Sequence, residues 1–489
     1  VSSSKSIRSE VVSAGKWSAV STIVTTLVQF AKLIVLAWLL SPGEIGLYSM
    51  AMITVALFSC LADGGMANAI IYKQTTDQKI LSSIHWINIF IGSIIGVLIW
   101  LFSPFIALYF RSSTVEPIVA ALAIGPFIIS WGIVIRAVLR NEFRFASLCI
   151  IRVVGALASF GVSVGMAYFG HGVFSIVYGY LIGILAEVIL AFVLSVDYSR
   201  PIFCFQREGL GEYVRFGGFQ LGERFINFLG ANSDYFIIGR VLGEEALGIY
   251  RIAYELVVMP LTRVNPIVTQ VALPGFAKIK DPQRLRNAYL EVLNFLSGIT
   301  LPCLLGLWAI APLFYSTFYD PRYQFAADLV RILIFVGVFK TLCNPIGVAI
   351  ISLGRPDVGF YWNLLILAIY IPLFWLLAPY GTAAVAWGYV GISAFSFLVL
   401  NGPILSYLMP TAKFSDVIKQ VYLPVLLSCV MAGIVVSAEW MAQPIAWPRL
   451  GMFLLIALGV VSYVALMAML NREYVHKVLA MFDKRRGTA

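Results

Sequence analysis

Unbroken apolar runs of about twenty residues or more recur along the whole chain, and they constrain its fold more than any other feature. A helix needs roughly 20 such residues to cross a bilayer. Barrel strands would instead alternate apolar and polar residues over about ten positions. In hydrocarbon, a segment must satisfy its own backbone N–H and C=O groups, which leaves helices. Fourteen spans are expected, near 15–40, 45–72, 80–102, 116–138, 148–169, 173–195, 214–240, 245–274, 288–313, 325–352, 358–378, 381–405, 417–437 and 448–470. Composition agrees. The chain is 60% hydrophobic and 12% charged, with mean hydropathy +0.91, whereas soluble domains run about 45–50% apolar and about 25% charged. A soluble enzyme, a disordered chain and a disulfide-stapled secreted domain are excluded. The expected fold class is all-α, a polytopic membrane protein of 14 transmembrane helices.

Charge placement tests that count. With both termini cytoplasmic, 22 Lys and Arg fall in cytoplasmic segments and four (Arg111, Arg240, Arg322 and Arg449) on the opposite side. This is the asymmetry that the positive-inside rule demands. One helix more or fewer would scramble it. The net charge of +10 therefore reads as topology, and no nucleic-acid partner is expected. The first apolar stretch follows Lys5, Arg8 and Lys16 and lacks a small-x-small exit site, so it is expected to be a retained helix. Six cysteines and three histidines are scattered without CxxC or Cys/His clusters, which predicts neither metal nor disulfide. There is no GxxxxGK[ST] loop, and no cofactor is expected.

Two stretches 202 positions apart repeat Leu, Gly and Tyr in register: Leu40 to Tyr48 and Leu242 to Tyr250. The register runs on into the helices. Ser18, Thr22, Thr25, Gln29 and Lys32 follow steps of four and three, which place them on one helical face. Their counterparts are Gln220, Arg224, Asn227, Ala231 and Asp234. Arg140 and Arg144 after the fourth span are echoed more weakly by Arg355 after the tenth. Spans 1–6 and 7–12 thus read as two copies of one unit. Six crossings bring each copy in from the same side, so the repeats are parallel. The expected domains are a six-helix lobe over 1–205, a second over 206–410, and two added helices with a basic tail over 411–489.

Ionisable groups within a bilayer cost about 2.5–3.5 kcal/mol each and normally face a bundle interior. The basic set is Lys32, Arg136, Arg152, Arg224, Arg251, Arg263, Arg331 and Lys340; the acidic set is Asp63, Glu187, Glu223, Asp234 and Glu255. The surplus of base suits an anion, because arginine forks match phosphate oxygens. Candidate substrate-binding residues are Lys32, Arg224, Arg263, Arg136, Arg152, Arg331 and Lys340. Candidate ion-coupling residues are Asp63, Asp234, Glu255, Glu187 and Glu223, since desolvation raises a carboxyl pKa. Structural roles stand beside these. Arg251 and Glu255 are four apart and suited to pair, Lys32 and Asp234 are equivalent and suited to bridge the copies, and Arg136 and Arg152 lie where long side chains snorkel. Pro260, Pro266, Pro274, Pro302 and Pro345 offer kinks.

The stretch Leu36-Ala37-Trp38-Leu39-Leu40-Ser41-Pro42-Gly43-Glu44-Ile45-Gly46-Leu47-Tyr48, followed by Ala62 to Ile71, resembles the polysaccharide-transporter family of the multidrug/oligosaccharidyl-lipid/polysaccharide (MOP) flippase superfamily. Asp234 to Arg240, Gly248-Ile249-Tyr250 and Pro260 are similar to the pattern in that family's second half. The likeness is greatest to bacterial colanic-acid, succinoglycan and O-antigen exporters. It implies a flippase, not an enzyme, which moves undecaprenyl-diphosphate-linked oligosaccharide across the bacterial inner membrane for exopolysaccharide or lipopolysaccharide synthesis. It further implies alternating access, proton or sodium coupling, and work beside polysaccharide polymerase and export machinery. It fixes no substrate-contact residue. The alternatives are a cation-coupled drug exporter of the same superfamily, whose cavity would need net acid, and a membrane polysaccharide polymerase or ligase, which would need a large periplasmic loop.

Overall fold

The computed structural model describes residues 2–62, 70, 77–195, 202, 210–441 and 448–470, with backbone alone for 2–14, 61, 62, 210–224, 267, 270, 271 and 448. Every described secondary-structure element is helical. In chain order the helices are α1 (Ser2–Leu39), α2 (Pro42–Ala62), α3 (Gln78–Phe110), α4 (Val115–Leu122), α5 (Gly125–Asn141), α6 (Phe145–Tyr168) and α7 (Phe174–Leu194). Then come α8 (Leu210–Lys278), α9 (Pro282–Phe318), α10 (Phe325–Ser352), α11 (Pro356–Leu377), α12 (Thr382–Val399), α13 (Leu405–Leu408), α14 (Phe414–Met441) and α15 (Pro448–Leu470). A single π-helical turn, Leu400–Ile404, joins α12 to α13.

Twelve helical stretches among the described residues are long and apolar enough to cross a membrane; α4 with α5 makes one, and α12 with α13 another. The long α8 is not among them. It carries Asp234, Arg240, Glu244, Glu245, Arg251, Glu255 and Arg263 along its length. The expected count of fourteen assigns α8 two crossings, so composition accounts for twelve and leaves that helix as the difference.

Local chemistry explains where helices begin. Ser41 caps α2, and Pro42 follows as its first residue, where a missing N–H costs nothing. Glu44 Oε2 accepts from the Ser41 N–H at 2.7 Å, while Ser41 Oγ accepts from the Glu44 N–H at 3.3 Å. This reciprocal pair satisfies two otherwise orphan donors. Asp77 and Asp281 cap α3 and α9 in the same way, through the N–H groups of Lys79 and Gln283. Pro260, Pro266, Pro274, Pro302 and Pro345 do not end their helices. The break in α8 comes at Gly243 instead, with φ 85° and ψ −173°. A side chain there would be strained, so glycine is the residue that fits. Gly243 stands 202 positions after Ser41, the cap of α2.

The two repeat stretches meet through their backbones. A Cβ on Gly46 would fall onto the carbonyl oxygen of Glu244, and a Cβ on Gly248 would fall onto that of Pro42. Pro42 and Glu244 are repeat equivalents, as are Gly46 and Gly248. The contact is therefore reciprocal, as a two-fold requires of a self-complementary patch. At the same crossing Arg251 Nη1 donates to Ser49 Oγ at 3.1 Å, and its guanidinium lies 5.3 Å from the centre of the Tyr48 ring. Positions 49 and 251 are themselves equivalent, so the pseudo-axis passes between them.

The chain packs as two compact units, one of Val1–Arg251 with Leu367–Pro379 and the other of Ile252–Ile366 with Tyr380–Ala489. Units are set by packing and repeats by register, so the two divisions answer different questions. In the first unit, Leu81, Ile84, Val134, Ala137 and Val138 bind α3 to α5, and Ile135, Leu139, Leu148, Ile151 and Ala191 bind α5 to α6 and α7. In the second, α9, α10, α12 and α14 share a core around Tyr289, Leu293, Leu301, Ile346, Phe397 and Val417. Buried hydrogen bonds pin that unit. Tyr289 donates to Asn401 Oδ1 at 2.6 Å, and Tyr463 donates to the Gly298 carbonyl at 2.8 Å. Among similarly apolar neighbours, such bonds fix register that grease alone leaves open.

Candidate functional site

Three of the candidate residues fall outside the description: Asp63 altogether, and Glu223 and Arg224 in their side chains. The others sit in the first unit (Lys32, Arg136, Arg152, Glu187, Asp234) or the second (Glu255, Arg263, Arg331, Lys340).

In the first unit, Lys32 on α1 reaches α6 and donates to Ser159 Oγ at 2.8 Å. Its repeat equivalent, Asp234, is 1% exposed and accepts from the Tyr250 hydroxyl at 2.8 Å. Tyr250 is wholly buried and stands edge-on to Tyr235. Three helices bring a second group together. Arg136 on α5 lies 3.7 Å from Glu187 on α7, and Arg152 on α6 is within electrostatic reach of the same carboxylate.

In the second unit, Lys340 on α10 donates to the hydroxyls of Tyr254, at 2.9 Å, and Tyr389, at 2.6 Å. The two rings stack 18° from parallel, and the ammonium lies 5.5 Å and 4.8 Å from their centres. Among the described residues no carboxylate pairs with Lys340. Arg331, on the opposite face of α10, lies 5.2 Å from the centre of the Trp308 ring, and its buried Nε has no hydrogen-bond partner among the described residues. Glu439 on α14 is within electrostatic reach of Arg331. Glu255 acts on two buried phenols of α9 and its C-cap, Tyr315 and Tyr319. Arg263 is half-buried on α8.

The spacing of charges did not disclose the uncharged partners. Ser49, Ser159, Tyr254 and Tyr389 complete the basic positions, and none is a titratable group of the type searched for. One signal was present. Tyr254 lies inside the expected span 245–274 and Tyr389 inside the apolar stretch Thr382–Leu408, away from the interfacial belt where tyrosine concentrates. A phenol at that depth needs a partner for its hydroxyl.

Residues 35–328 match the model of a family described as "Polysaccharide biosynthesis protein". The chain belongs to this family. The match covers more than half of the molecule, including α2 to α9. Among relatives, the teichuronic acid biosynthesis protein TuaB of Bacillus subtilis (strain 168) is 29% identical over 439 residues, covering 89% of this chain and 91% of its own. The lipopolysaccharide biosynthesis protein WzxC of Escherichia coli (strain K12) is 27% identical over 429 residues, 86% of each chain. Among solved structures, the lipid II flippase MurJ in an inward closed conformation aligns with TM-score 0.76 at 14% identity, over 95% of this chain and 100% of that one. That likeness establishes the fold. The chain is thus a multi-pass membrane protein of the polysaccharide biosynthesis family, with the fold of the solved flippase.

Proposed function

We propose that this transporter moves an undecaprenyl-diphosphate-linked oligosaccharide from the cytoplasmic to the periplasmic leaflet of the bacterial inner membrane, supplying exopolysaccharide or lipopolysaccharide synthesis. Family membership supports the class, and the TuaB and WzxC names place relatives in the making of anionic or lipid-anchored polysaccharide. The observation that carries the chemistry is Lys340. An ammonium in a low-dielectric span, held among the described residues by phenol oxygens and ring faces, keeps its charge available to an anion. A diphosphate carries the matching oxygens. Tyr254 and Tyr389 hold the ammonium without neutralising it, so it is placed before the substrate arrives.

Lys32, Arg263 and Arg331 are proposed as further contacts for the same head group, with Arg136 and Arg152 where it enters. Asp234 and Glu255 are proposed to couple transport to a proton or sodium gradient. In this reading both termini are cytoplasmic, lobes 1–205 and 206–410 rock in alternating access, and 411–489 is added to them. The molecule performs no catalysis and hands its cargo to polymerase and export machinery. The test is export by intact cells lacking the native transporter. Lys340→Gln, at normal protein level, is expected to cut polymer export at least tenfold. Export equal to that of the unaltered protein would remove Lys340 from the pathway.

A further inference from the structure

Arg136, Arg152 and Glu187 come from three consecutive helices yet stand at one depth. Arg136 is five residues before the end of α5, Arg152 seven after the start of α6, and Glu187 seven before the end of α7. At 1.5 Å per residue they lie roughly 8–10 Å inside the same ends of the spans. That is the side which the positive-inside rule assigns to the cytoplasm. The backbone makes room for the carboxylate. A Cβ on Gly155 of α6 would collide with Glu187 Cγ and come within 3.0 Å of Oε1. Gly155 therefore lets Glu187 lie across α6, toward Arg136.

The pairing is loose. At 3.7 Å, Arg136 Nη1 and Glu187 Oε2 form an ion pair without hydrogen-bond geometry, and both side chains are about a quarter to a third exposed. Arg152 is exposed and makes no hydrogen bond or ion pair among the described residues. One carboxylate thus faces two guanidinium groups and engages neither bidentately. A purely structural bridge would gain from close fork geometry. This arrangement withholds it.

We propose that Glu187 is a stand-in anion at a loading site for the substrate's diphosphate, which displaces it from between Arg136 and Arg152. The inference rests on the flippase reading above and gives it an entry point. In the unloaded state Glu187 places a negative charge beside the two arginines. On loading, phosphate oxygens take both forks and Glu187 swings off Gly155. On release the carboxylate returns and drives the anion onward. Glu187 therefore lowers affinity at this site and quickens departure from it.

The full chain in phosphatidylcholine nanodiscs, titrated with a polyprenyl diphosphate, tests this. Glu187→Gln removes the competing charge and is expected to tighten binding several-fold while slowing turnover in proteoliposomes. Arg152→Gln is expected to weaken binding about tenfold, and the double variant to lose the gain. If Glu187→Gln does not fold, Gly155→Ala pushes the carboxylate aside and is expected to shift affinity the same way. Phosphatidylglycerol at equal mole fraction serves as the bulk-lipid probe and is expected not to compete. Unchanged or weaker binding by Glu187→Gln, or equal competition by phosphatidylglycerol, overturns the stand-in role while wild-type transport stands. A wild-type protein that neither binds the diphosphate lipid nor moves a lipid-linked oligosaccharide overturns both this site and the flippase reading.

Discussion

Lys340 shows how a charge is kept inside a membrane protein with no counter-ion among the described residues. Hydrogen bonds to a charged group are worth about 1.5–3 kcal/mol each, and a cation over an aromatic face adds about 0.5–2 kcal/mol. Two phenols supply both terms at once. Tyr389→Phe keeps the ring and removes only the oxygen at 2.6 Å. It is expected to reduce export several-fold, less than Lys340→Gln, with little change in protein level. Equal loss in both variants would mean that the hydroxyl itself meets the substrate. A contrasting residue is Tyr289, wholly buried and bonded to the neutral Asn401. Tyr289→Phe orphans a buried amide oxygen, which costs about 1–3 kcal/mol. It is expected to lower the unfolding midpoint in detergent while surviving protein exports normally. The charged residues were legible in the sequence because charge in a greasy span is rare. Their neutral partners were not, because serine and tyrosine are ordinary there and only folding brings Ser159 to Lys32 or Tyr389 to Lys340.

At the scale of elements, the decisive feature is the crossing of Pro42–Gly46 with Glu244–Gly248. The repeat was visible as Leu, Gly and Tyr in register, but the reason for the glycines was not. Each is small because the carbonyl of the other copy occupies the place of its Cβ. The sequence carries two matching turns; the fold shows that each is the other's contact surface. Gly248→Val would drive a branched side chain into the Pro42 backbone. Overpacking of this kind typically costs about 1–3 kcal/mol, and backbone atoms cannot yield as a flexible side chain does. The variant is expected to express at reduced level and to lose export, whereas Gly347→Ala, which meets nothing within 4 Å, is expected to change neither. Normal export by Gly248→Val would show that the crossing is slack. The long α8 marks the limit of reading by hydropathy. By sequence its charges line a pathway within two spans, yet the same charges make it too polar to stand out as apolar crossings.

At the scale of the molecule, the proposed cycle makes a demand on that crossing. If lobes 1–205 and 206–410 rock apart on one side, the reciprocal contact between their equivalent stretches has to open and reclose once per turnover. Gly43 and Glu244 provide a probe, because a Cβ on Gly43 would stand 3.7 Å from Glu244 Cγ. Glu244 Cγ stands where the sulfur of a cysteine at that position would, so a small shift of the turn brings the two sulfurs within bonding reach. In a background with the six native cysteines replaced, Gly43→Cys with Glu244→Cys is expected to form a bridge under mild oxidation. Transport in proteoliposomes is then expected to fall at least tenfold and to recover on reduction, while either single variant stays insensitive to oxidant. The reversibility matters, because simple damage to the turn would persist after reduction. Full transport with the bridge demonstrably formed would mean that the copies never part at this point. Rocking about a two-fold would then be the wrong motion, and the head group would have to cross by rearrangement within a lobe, past Lys32 or past Lys340, with the glycine contact as a fixed pivot.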